Sequence, residues 1–193
     1  MPNIIYNNRF FSGLLYALGK GFLSMSGWKL INTPPAIAKY VVIAAPHTSN
    51  WDFPLFMSVV GLLRMKVSFL GKHTLFQGYF GKLFFWLGGI PVDRGTESAS
   101  EIVDQIIKAF HENDHMILGI APEGTRSRVK KWKTGFYRIA LGAGVPIVPA
   151  YLDSATKTIG FGPAFKPGGD MEADLLMLKT FYAGKKAINP ANH

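Results

Sequence analysis

The chain has 193 residues and no cysteine, which fits one domain and excludes thiol nucleophiles, disulfides and thiolate metal sites. Its 21 Lys+Arg against 12 Asp+Glu leave a formal +9, a balance that points to anionic partners. With 15 Phe, a mean hydropathy of +0.16 and no zinc-knuckle, basic-zipper or aromatic RNA-binding motif, the expected partner is an anionic membrane surface and not nucleic acid.

In chain order, Phe11, Leu14, Leu15, Leu18, Phe22 and Met25 recur at helical spacing. Gly13, Gly19 and Gly21 weaken that helix, and Arg9, Lys20 and Lys29 flank or interrupt it. Two readings stand: a helix packed on the core, or an amphipathic helix in a membrane interface with its cations at the headgroups. No stretch supplies the roughly 20 apolar residues of a membrane span, and no signal-peptide pattern is read at the N-terminus. Pro34-Pro35 marks a loop at 32–36.

Residues 40–45 read as a buried strand, followed by Pro46-His47-Thr48-Ser49-Asn50-Trp51-Asp52 and an apolar helix at 55–63. A second strand is expected at 66–70, a turn at 71–74 and an aromatic helix at 75–86. Gly88-Gly89 opens a short strand ending at Asp93-Arg94. Ser98 and Glu101 form a capping-box pattern before a helix with Ile102, Ile106, Ala109 and Phe110 on one face. Residues 115–120 read as a strand ending in Pro122-Glu123-Gly124-Thr125-Arg126, and 136–144 as a helix. Strands follow at 145–149 and, at the sheet edge, 156–161, then a last helix at 171–182. The basic tail from Gly184 is expected to be loose. The alternation predicts a single-domain α/β fold: a mixed, largely parallel sheet flanked by helices, with the amphipathic helix at its N-terminal end.

His47 ends a strand, and Asp52 follows five residues later. Ser49 and Asp52 also fit a capping box, Ser49 as N-cap and Asp52 at the third helical position. The two readings are compatible. An aspartate that accepts from one imidazole nitrogen fixes the tautomer and leaves the other nitrogen free to take a proton. The opposing pulls of the helix N-terminus and Asp52 suit a base working near neutrality. With no cysteine and no Gly-x-Ser-x-Gly elbow, the simplest chemistry is direct: His47 deprotonates a substrate hydroxyl, which attacks an activated acyl carbon. Arg94 and Arg126, on two loops that each end a strand, suit a phosphate; the alternative is ordinary surface ion pairing, such as Arg126 with Glu123. Lys130, Lys131 and Lys133 read as a positive rim or a solvated run.

Four ordered blocks resemble the glycerolipid acyltransferase family, in particular the 1-acylglycerol-3-phosphate acyltransferases. They are His47-x4-Asp52, Gly89-Ile90-Pro91-Val92-Asp93-Arg94, Pro122-Glu123-Gly124-Thr125-Arg126-Ser127 and Val145-Pro146-Ile147-Val148-Pro149. Lys133-Thr134-Gly135 and Lys72 are similar to lesser family features. The chain departs where a Lys-x-Glu-Leu pattern is common and Lys72-His73-Thr74-Leu75 stands instead.

The resemblance implies acyl transfer from acyl carrier protein or coenzyme A to a lysophospholipid hydroxyl, without a covalent acyl-enzyme. No metal or other cofactor is expected. It implies His47 as general base with Asp52 as its partner. It implies that Lys72, Arg94, Glu123, Gly124, Thr125, Arg126 and Lys133 bind substrate, and that the fourth block lines an acyl or acceptor pocket. It divides the chain into a membrane-associating helix at 1–32 and an acyltransferase domain at 33–193, held peripherally at the cytoplasmic face of the membrane. The alternatives are a different lyso acceptor, such as a lyso-aminolipid, or a non-catalytic module that binds anionic membranes.

Overall fold

The segment around residue 43 is apolar on both sides of its pleat, the pattern of a strand covered on both faces. The computed structural model, which describes residues 5–93, 95, 98–129 and 131–192, places it at the centre of the sheet. The helices are α1 (Arg9–Ser26), α2 (Asp52–Leu62), α3 (Gly78–Trp86), α4 (Ala99–Glu112), α5 (Gly135–Ala143) and α6 (Met171–Tyr182). The strands are β1 (Lys29–Leu30), β2 (Lys39–Ala45), β3 (Val67–Lys72), β4 (Gly89–Val92), β5 (Met116–Ile120), β6 (Ile147–Asp153) and β7 (Thr158–Phe161). Among the described residues they form one sheet of order β1-β7-β6-β2-β5-β3-β4. It is parallel except where β7 runs antiparallel to β6, so the expected mixed, largely parallel α/β architecture is what forms.

Alternate residues of β2 feed two cores. Val41, Ile43 and Ala45 pack with Val103, Phe110, Phe136 and Leu178 of α4, α5 and α6. Tyr40 and Val42 pack with Leu23, Leu55 and Val59 of α1 and α2. Pairing β2 with both β5 and β6 places the site. From β2 the chain crosses past β5 to reach β3; from β5 it crosses past β2 to reach β6. The connections leave in opposite directions, so the loops after β2 and β5 face one another across a crevice at the strands' C-terminal edge.

Helix α1 packs one face on the core and leaves apolar side chains exposed on the other. Its inner face crosses α2 so closely that a Cβ on Gly19 would lie 2.5 Å from the Ser58 carbonyl oxygen, and one on Gly61 2.6 Å from that of Leu15. Its outer face leaves Phe10 73%, Leu18 61% and Met25 91% exposed. Among the described residues no helix is long and apolar enough to cross a membrane.

Several boundaries differ from expectation. The predicted turn at 71–74 is strand through Lys72, because Gly71 and Lys72 pair with Pro91 and Val92; a 3₁₀ turn, His73–Phe76, follows. The aromatic helix therefore starts at Gly78, beyond an extended Gln77. The strand at 145–149 begins at Ile147 and runs on to Asp153. Residues Thr158–Phe161 are not an edge, since the two-residue β1 pairs outside them. The tail is docked: Lys186 N–H donates to Asp153 Oδ1 at 3.1 Å, and Ala187 is 2% exposed. Backbone bonding to the end of β6 outweighs the tail's basic composition.

Candidate active site

His47 stands two residues beyond β2, at the mouth of the crevice, and Asp52 is the first residue of α2. The imidazole Nδ1 lies 2.9 Å from Asp52 Oδ2. That oxygen also accepts the backbone N–H groups of Thr48 and Ser49, each at 2.8 Å. The Asp52 side chain is 4% exposed and that of His47 24%. A buried carboxylate fixed by two amides is placed to accept from Nδ1–H, an arrangement that leaves the other imidazole nitrogen able to accept a proton. Asp52 Oδ1 is buried with no hydrogen-bond partner among the described residues.

The capping box is half formed. Asp52 accepts from Ser49 N–H as such a box requires. Ser49 Oγ, however, accepts from Trp51 N–H at 3.2 Å, and Asp52 N–H donates to the Ser49 carbonyl at 3.3 Å. The helix begins at Asp52, so Ser49 is too far upstream to cap it.

The loop after β5 supports His47 from the other side. Glu123 Oε1 accepts His47 N–H at 3.2 Å, with the residue 9% exposed. Burial pushes the Glu123 carboxyl above its usual range and the nearby Asp52 adds to this; donation from backbone N–H groups and the His47 charge offset part of it. Its Oε2 is buried and lacks a hydrogen-bond partner among the described residues. Gly124 takes φ +65°, and a Cβ there would lie 2.8 Å from Cδ of Lys133, whose stem crosses the glycine. Lys133 N–H donates to the Pro122 carbonyl at 2.8 Å, closing the loop. Thr125 Oγ1 accepts Ser127 N–H at 3.3 Å. Arg126 is exposed and, with His47, lines the same cavity.

That cavity, of about 430 Å³, runs between α2 and the sheet. Phe53, Phe56, Val60, Val67, Phe69 and Phe84 line it, and His47 and Arg126 stand at its polar end. The structure thus gathers His47, Asp52, Glu123 and Arg126. Lys72 ends β3, two strands from β2, beside Val92. Arg94 and Lys130 lie outside the described residues. At the departure after Lys72, His73 Nδ1 lies 3.3 Å from Asp93 Oδ1, joining the second block to the 3₁₀ turn. Among the described residues no three His, Cys, Asp or Glu cluster as a metal site needs.

Residues that sequence reasoning passed over are Phe53, Phe56 and Val60. Their i, i+3, i+7 spacing marks one face of α2, but spacing does not distinguish a cavity wall from packed core. Of the stretch 75–86, Leu75 and Phe84 line the cavity among the described side chains.

The model of the family described as Acyltransferase matches residues 30–153, more than half of the chain. The 1-acyl-sn-glycerol-3-phosphate acyltransferase of Escherichia coli is 28% identical over 122 residues, 61% of this chain and 49% of that protein. The enzyme of that name from Haemophilus influenzae is 30% identical over 118 residues, 58% of this chain and 48% of that protein. The chain thus spans about half the length of these curated relatives. The crystal structure of the 1-acyl-sn-glycerophosphate acyltransferase from Thermotoga maritima shares the fold, with a TM-score of 0.64 at 18% identity over 90% of this chain and 77% of that one. On the family match and the blocks that fall within it, this chain belongs to the Acyltransferase family.

Proposed function

We propose that the protein transfers a fatty acyl group from an acyl thioester, on acyl carrier protein or coenzyme A, to the free hydroxyl of a lysophospholipid. The acceptor we favour is 1-acylglycerol-3-phosphate, which yields phosphatidic acid. The observation that carries this is the 2.9 Å His47–Asp52 pair at the polar end of an apolar cavity, with Arg126 beside it. The open imidazole nitrogen of His47 takes the hydroxyl proton as the oxygen attacks the thioester carbonyl. The C–S bond then breaks and the thiol leaves with the proton from His47, so acyl group and proton balance without a covalent acyl-enzyme. The cavity suits an acyl chain, and Glu123 Oε2, buried without a hydrogen-bond partner among the described residues, suits a glycerol hydroxyl. Arg126, with Arg94 and the lysines at 72 and 133, suits the phosphate.

We also propose that α1 lies in the interface of an anionic leaflet, which makes the protein peripheral at the cytoplasmic face. Its exposed Phe10, Leu14, Leu18 and Met25 and the +9 charge support this. The test of function is a panel of lyso acceptors, with and without phosphate, given one acyl-coenzyme A donor. Phosphorylated acceptors should be preferred, and Arg126→Ala should raise their apparent KM about tenfold while kcat changes little. An unchanged KM, or preference for a lyso-aminolipid, would remove the phosphate role.

A further inference from the structure

The segment after α6 lies beyond the 30–153 span of the family match, yet it bonds to the loop that carries His47. It leaves α6 at Tyr182, whose carbonyl accepts Lys185 N–H at 3.1 Å. Lys185 Nζ lies 3.9 Å over the Tyr151 ring. Lys186 N–H donates to Asp153 Oδ1 at 3.1 Å, and the Lys186 carbonyl accepts Ser154 N–H at 2.9 Å. Ser154 Oγ donates to the Ala187 carbonyl at 2.6 Å. Ala187 is buried, and Ile188 packs against the core beneath α1 and α2. The segment is therefore fixed to the end of β6. Its last described link crosses to the active-site loop: Asn189 N–H donates to Thr48 Oγ1 at 3.1 Å.

Thr48 is the hinge of the His47–Asp52 arrangement. It follows the base, its side chain is buried, and its own N–H is one of the two amides that fix Asp52 Oδ2. Turning Thr48 would misaim the amides of residues 48 and 49 together, and with them the carboxylate that orients His47 Nδ1. The loop is held by Asp52 from α2 and by Glu123 from the loop after β5. The bond from Asn189 holds it from the β6 side.

We infer that residues 186–189 form a clamp that positions the general-base loop through Thr48 Oγ1, so that Thr48 and the Asn189 amide are positioning elements for acyl transfer. This inference rests on the acyl-transfer reading above. A clamp that sets orientation acts on the chemical step and leaves acceptor binding largely alone.

The test compares the full-length protein with Thr48→Val, Thr48→Ser, Asn189→Pro, the Thr48→Val/Asn189→Pro pair and His47→Ala. The assay uses acyl-coenzyme A and 1-acylglycerol-3-phosphate, and the fold is followed by circular dichroism. Thr48→Val removes the acceptor and Asn189→Pro the donor. Each should lower kcat about tenfold and move the acceptor KM by less than about twofold. Thr48→Ser keeps the hydroxyl and should retain wild-type kcat. The double variant should be no slower than the slower single, because both remove one bond. Should Thr48→Val not fold, Asn189→Pro at its exposed position carries the test. Wild-type kcat in both singles, or losses that multiply in the pair, would overturn the clamp. If His47→Ala keeps turnover, or the unaltered protein has none, the acyl-transfer reading fails instead. An inactive His47→Ala beside fully active clamp variants would sink the clamp alone.

Discussion

Asp52 Oδ2 takes one imidazole N–H and two backbone N–H groups within 2.9 Å, so a single oxygen orients the His47 ring and pins the loop. This pair was legible in the sequence because its members are five positions apart, at a strand end and a helix start. Glu123 stands out in the sequence as part of the third block, yet its bond to His47 N–H does not, because 76 residues separate the two and only the sheet order brings them together. Burial of the same carboxyl gives a prediction about pH. A carboxyl pushed above its ordinary 4.5 in the fold keeps a proton that the unfolded chain has released. Stability from this group is complete below 4.5 and is lost as pH rises through the folded value. Glu123→Gln keeps an oxygen for His47 N–H and does not ionise. Its unfolding free energy in urea should gain on wild type as pH rises above 4.5, and a gap that stays flat with pH would contradict the assignment.

At the scale of elements, α1 shows what periodicity can and cannot say. The period was correct, and its three glycines all looked like weaknesses. The structure separates them: Gly19 lets α1 approach the backbone of α2, whereas a Cβ added at Gly13 or Gly21 would meet nothing within 4 Å. Gly19→Ala should therefore lower stability by about 1–3 kcal/mol, the usual size of an overpacking penalty. Gly13→Ala should raise it by about 0.5–1 kcal/mol through helix propensity. Equal effects in thermal or urea unfolding would refute the close crossing. The outer face makes a separate prediction. Leu14→Glu with Leu18→Glu should release the protein from anionic vesicles in a flotation assay while circular dichroism stays unchanged, because both side chains are exposed. Loss of fold would assign that face to the core. Strand limits were less legible than helices. A two-residue strand such as β1 has no periodicity to read, and Lys72 joins β3 only because Val92 lies beside it.

Across the whole molecule, the α/β class could be read from the alternation of strands and helices, but the sheet order could not. That order makes neighbours of the first and third blocks, since β2 and β5 lie side by side and the loops that follow them meet at their C-terminal ends. The docked segment at 186–189 was illegible for the same reason: its partners, Asp153, Ser154 and Thr48, are distant in the chain. The central claim is that this arrangement makes His47 the base of an acyl transfer. It is tested most directly by thiol release from an acyl-coenzyme A on addition of 1-acylglycerol-3-phosphate, with the product identified by mass spectrometry. The wild-type chain should form phosphatidic acid, and His47→Ala, folded to the same circular dichroism spectrum, should lose turnover by on the order of a thousandfold or more. Phosphatidic acid formed by His47→Ala at near wild-type rate would contradict the account.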